Sequence, residues 1–137
     1  MNDNEEAALS WILKAGNDLL NADNNLRAEE IPYDTVCFHA QQAAEKIFKA
    51  VLAYHNQEIP RIHDLVVLLE RISLLVPGSA VMQDNAIALM PFSVTVRYPA
   101  EIWEPSAKEA VEARECAGKI AQWFRTNCPP PFDKIYG

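Results

Sequence analysis

Gln42, Glu45, Lys46 and Lys49 recur at spacings of three and four within residues 38–50. In that register, amide, carboxylate and ammonium groups share one side of a helix. Such a row can floor a cleft between helices, where its donors would hold a phosphate or a base edge. It can also be a solvated face set opposite an apolar one. Glu45 precedes Lys49 by four residues, the favourable order for an ion pair one turn apart. Two later pieces add other groups. His63-Asp64 offers either a helix-capping carboxylate with a bystander imidazole, or an imidazole placed to donate to a ligand or partner. Arg97-Tyr98-Pro99 offers a guanidinium that can cap a negative helix end or aim its fork at a phosphate or carboxylate.

The elements that would position these groups are helical. A first helix is predicted from near Asn4, with Glu5 and Glu6 against its positive end and Ala8, Ile12, Ala15, Leu19, Ala22 and Leu26 along one face. Ile31-Pro32-Tyr33 breaks it. Asp34 is the expected N-cap of a second helix that runs to about His55. Val36, Ala40, Ala43, Ile47 and Val51 form one apolar stripe there, and Cys37, Ala44, Phe48 and Leu52 form its neighbour. So wide an arc implies contact with more than one helix. His39, Gln42, Glu45, Lys46 and Lys49 are the polar remainder.

A third helix over 64–75 is apolar nearly all round and is expected to be central; Val76-Pro77-Gly78 ends it. A fourth segment, 79–98, reads as helical although Pro91 would kink it and Val94-Thr95-Val96 favours a strand, because a lone strand has nothing to pair with. Ser106 and Glu109 form a capping box that opens the last helix, with Ala110, Ala113, Ala117, Ile120 and Phe124 as its core stripe. Cys128-Pro129-Pro130-Pro131 stops it. These elements predict an all-α fold, an up-and-down antiparallel bundle of four to five helices. The 137 residues suit one domain, with a core over about 8–126 and a proline-rich tail over 127–137.

Composition narrows the function classes. Twelve basic residues against nineteen acidic give a net charge of −7, which argues against a general nucleic-acid binder. The acidic start predicts no signal peptide, and no stretch predicts a membrane span, so a cytoplasmic protein is expected. Cys37, Cys116 and Cys128 match no metal spacing and read as reduced thiols. Four glycines cannot build a phosphate-cradling loop, and His39, His55 and His63 lack the spacing of a zinc site. No cofactor, metal or catalytic triad is expected. Met82, Met90, Phe92, Trp103 and Trp123 read as core or interface filling.

Taken together, Trp11, Ala15 and Asp18-Leu19-Leu20, then residues 41–46 with Lys49-Ala50, then His63-Asp64-Leu65 and Arg97-Tyr98-Pro99, resemble the HEPN family of small helical domains. The resemblance spans about Ala8 to Phe124. It implies an up-and-down bundle, a homodimer, and a minimal nucleotidyltransferase as partner in a toxin–antitoxin-like pair. Catalytic members are metal-independent ribonucleases with an Arg and a His separated by four to six intervening residues. Here the corresponding positions after Arg97 hold Ile102, Trp103 and Glu104, so the usual catalytic route is not expected. The implied role is a binding module for a nucleotide or RNA, with Gln42, Glu45, Lys46, His63, Asp64, Arg97 and Tyr98 as its ligand-binding residues. The alternatives are an endoribonuclease that brings His63 and Arg97 together at a dimer cleft, and an interaction module that only dimerises.

Overall fold

The computed structural model describes residues 2–93 and 104–128. Its elements are the α-helices α1 (Asp3–Leu26), α2 (Tyr33–Tyr54), α3 (Leu65–Ser73), α4 (Gln83–Leu89) and α5 (Ala107–Asn127), and no strand occurs among the described residues. The expected all-α bundle is therefore what the chain forms.

Asn2 caps α1, its side-chain oxygen accepting the Glu5 N–H at 2.8 Å, while Asp3, Glu5 and Glu6 face the positive end of the helix. Ala8, Ile12, Ala15, Leu19 and Ala22 are buried, as their spacing predicts. Asp18 is buried in the same stripe.

α2 starts two residues earlier than expected. Pro32 takes the cap position and its carbonyl accepts the Val36 N–H at 3.1 Å, so Asp34 lies inside the first turn, where its Oδ1 accepts the Thr35 N–H at 2.8 Å. Pro32 itself has non-helical backbone (φ −80°, ψ 87°) and offers no side-chain cap. α2 ends at His55, where Asn56 adopts a left-handed φ of 57°.

The centre of the bundle is α2, not α3. α2 packs on α1, α3 and α5, and its buried arc takes in Val36, Ala40, Ala43, Ala44, Ile47, Phe48, Val51 and Leu52. α3 buries only Leu65, Leu68, Leu69 and Ile72, while Leu74 just beyond it is 87% exposed. A helix of nine residues is too short to be lapped on every side, so its apolar surplus faces solvent at the rim.

The fourth segment is not one kinked helix. α4 sits between 3₁₀ turns over Ser79–Met82 and Met90–Phe92, and Pro91 falls in the second of these. Val94-Thr95-Val96, Trp103 and the tail from Pro129 lie outside the described residues. Gly78, at φ 85°, makes the turn into the first 3₁₀ stretch in a conformation that disfavours a side chain. α5 opens with the predicted capping box: Ser106 Oγ accepts the Glu109 N–H, and Glu109 Oε1 accepts the Ser106 N–H, both at 3.1 Å. Its stripe Ala110, Ala113, Ala117, Ile120 and Phe124 is buried.

Candidate functional site

The α1–α2 interface contains a polar seam. Two carboxylates are buried there, Asp18 at 6% exposure and Glu45 at 4%, together with Gln41 and the Lys49 side chain. A buried charge persists only when paired and hydrogen-bonded. Each carboxylate has gathered one lysine and one histidine.

Asp18, on α1, accepts from His39 Nδ1 at 2.8 Å through one oxygen and from Lys46 Nζ through the other. Both partners stand on α2. This node therefore ties the two longest helices together from within the core.

Glu45, on α2, accepts from Lys49 Nζ at 3.2 Å, one turn along the same helix. His63 Nδ1, from the α2–α3 connection, lies 3.2 and 3.1 Å from the two oxygens of Glu45. The Gln41 amide donates to Glu45 Oε1 at 3.4 Å and accepts from Gln42 Nε2 at 2.7 Å. Lys49 also lies over the Trp11 ring, 5.5 Å from its centroid, so α1 closes this node with an aromatic face.

The solvated-face reading fails for this row, because Glu45 and Lys49 are buried beside Phe48 and Leu52. The expected Glu45–Lys49 ion pair is present. Gln42 and Lys46 are half-buried. Asp64 is a cap: its Oδ1 accepts from Val66 N at 2.9 Å and Val67 N at 3.1 Å. His63 is no bystander, since it reaches back to Glu45 while its side chain stays 71% exposed. Arg97 and Tyr98 lie outside the described residues, so the geometry brings together Gln42, Glu45, Lys46 and His63 along one seam.

Four participants were not among the expected ligand-binding residues: Asp18, His39, Gln41 and Trp11. Asp18 carried the clearest signal, a carboxylate in the middle of the apolar stripe of α1. Gln41 stands one turn before Glu45 on the line that continues to Lys49, a polar stripe within an otherwise apolar arc.

Burial disfavours the thiolate form of all three cysteines. Burial pushes the Cys37 and Cys128 thiols up to about 12, with Glu109 and Asp34 adding to the effect at Cys37, and burial also raises Cys116. Among the described residues no cluster of His, Cys, Asp or Glu could hold a metal ion. No helix among them is long and apolar enough to cross a membrane. Away from the seam, Arg114 clamps Asp23 with two hydrogen bonds of 2.7 and 3.0 Å, joining α5 to α1.

The fold and this seam define a helical bundle whose core is organised around paired charges. The sequence model of the HEPN domain family matches residues 8–127, and the chain belongs to that family. Membership places it among nucleotide- and RNA-related helical modules, which commonly dimerise. No curated protein and no solved structure gives a match.

Proposed function

We propose that this chain is a nucleotide-binding module that works as a homodimer beside a minimal nucleotidyltransferase, in a toxin–antitoxin-like pair. Gln42, Glu45, Lys46, His63, Asp64, Arg97 and Tyr98 are the residues assigned to it. The observation that carries the reading is His63, an imidazole fixed through Nδ1 to a buried carboxylate yet 71% exposed. A side chain held from behind and open in front has lost its rotamer freedom before any ligand arrives. Asp64 contributes by capping α3 and so fixing the backbone that carries His63.

Calorimetric titration with ATP and with a short single-stranded RNA tests the ligand: heat with one of them, reduced in His63→Ala, supports the reading, and no heat with either sinks it. Light scattering on the purified chain tests the dimer. Affinity purification with mass spectrometry tests the partner, for which a nucleotidyltransferase in near-stoichiometric amount is the expected result.

The same carboxylate-backed imidazole supports a second reading, in which His63 and Arg97 cleave RNA by acid–base chemistry without a metal. Intact single-stranded RNA after incubation with wild-type protein, or equal cleavage by His63→Ala, defeats it.

A further inference from the structure

The hydrogen bond behind His63 decides what the exposed edge of the ring can recognise. A carboxylate accepts and has no proton to give, so the nitrogen that faces Glu45, Nδ1 at 3.1 and 3.2 Å, carries the hydrogen. In a neutral imidazole the other nitrogen is then a lone-pair acceptor. That nitrogen, Nε2, has no partner among the described residues and belongs to a side chain that is 71% exposed. Lys49 already sits on the same carboxylate at 3.2 Å, so a neutral imidazole leaves the buried node without excess charge. The pattern repeats at the second node, where His39 turns Nδ1 to Asp18 at 2.8 Å beside Lys46.

We infer that His63 offers the ligand an acceptor, Nε2, and that the group it takes is a ribose hydroxyl rather than a phosphate oxygen. This rests on the nucleotide reading above and makes it more specific. A phosphate oxygen has only lone pairs and would meet the lone pair of Nε2. A hydroxyl supplies the missing proton, and the 2′-hydroxyl is the group that separates a ribonucleotide from its deoxy counterpart. Glu45 then serves that binding through His63, as a positioning residue that sets the tautomer and the direction of the ring.

Two measurements on the full chain test this. The first is nitrogen-15 NMR of histidine-labelled protein, above the pH at which ordinary imidazoles ionise, with the His63 signals assigned by their loss in His63→Ala. A protonated Nδ1 and an unprotonated Nε2 are expected; the opposite pattern overturns the inference. The second is calorimetric titration with ATP and with 2′-deoxyATP. ATP is expected to bind about tenfold more tightly, the worth of one hydrogen bond, and the two ligands should become equal in His63→Ala. Equal affinities for the wild-type chain overturn the ribose assignment and leave nucleotide binding standing. No heat from either overturns the nucleotide reading itself, whatever tautomer the NMR spectrum gives. Circular dichroism of His63→Ala, expected to match wild type, shows that any loss is not a loss of fold.

Discussion

Asp18 and Glu45 are buried to nearly the same degree and each holds one lysine and one histidine, yet the two nodes are built differently. All the groups around Asp18 stand on α1 and α2, and its histidine is 22% exposed. The Glu45 node takes its histidine from a connection between helices, and that ring is 71% exposed. The lysines differ in the opposite sense: Lys46 at Asp18 is 23% exposed, whereas Lys49 at Glu45 is 7% exposed. The Asp18 node is a lock between helices with a cation that can reach water. The Glu45 node hides its cation and displays its imidazole. Similar chemistry thus serves cohesion in one place and presentation in the other.

The largest expected effect probes the hidden cation. Glu45→Ala strands the Lys49 ammonium in the core and should cost about 3–5 kcal/mol in urea unfolding. Glu45→Ala combined with Lys49→Met should recover much of that loss; a double variant no better than the single one would mean that Lys49 reaches water without its partner. Asp18→Ala is expected to cost less, about 1–3 kcal/mol, since Lys46 can turn outward. A loss equal to that of Glu45→Ala would erase the distinction between the nodes.

Cys37, buried on α2, sharpens the comparison by pH. Its thiol and that of Cys128 are pushed up to about 12 in the folded chain, against 9.0 for an unburied thiol. The stability this reflects is fully present below pH 9 and is lost as pH rises from 9 through 12, by about 1.4 kcal/mol per pH unit for each thiol. Cys37→Ala should flatten that fall by one thiol's share, so the carboxylate variants are best compared below pH 9. The smallest effect on stability belongs to His63→Ala, expected within about 0.5 kcal/mol because the ring is largely exposed. Its signature is in ligand binding, and a large loss of stability would make His63 a structural strut.

Periodicity made the helices legible. The stripe of α1 and the capping box of α5 are local patterns, and both stand as read. The Glu45–Lys49 pair was legible for the same reason, a four-residue spacing. What periodicity could not convey is burial. Whether Glu45 faces water depends on Trp11 from α1 and His63 from a connection, residues 34 and 18 positions away in the chain. The pairing role of Asp18 was not expected because a count of apolar recurrences passes over the polar residue in the stripe, although that residue is the one with something to pair. Asp34 misled because a capping residue type was present although the cap position lies two residues before it. α3 misled because hydrophobic content suggested the centre of the bundle, and position depends on length and neighbours as well.

Ala8, Ala15 and Ala22 recur every seven residues on the buried face of α1, opposite an α2 that buries Ala40, Ala43 and Ala44. None of these methyl groups can bind, donate or ionise. Together they act as a spacer gauge, setting how near two backbones come and hence whether a short aspartate on one helix can touch a lysine and an imidazole on the other. A leucine at Ala15 would widen that gauge one turn from Asp18 and draw the carboxylate away from both partners without altering a single charge. The residues with no chemistry of their own thus limit which chemistry the seam can sustain, and drift at a silent methyl position would abolish the node as surely as loss of the acid.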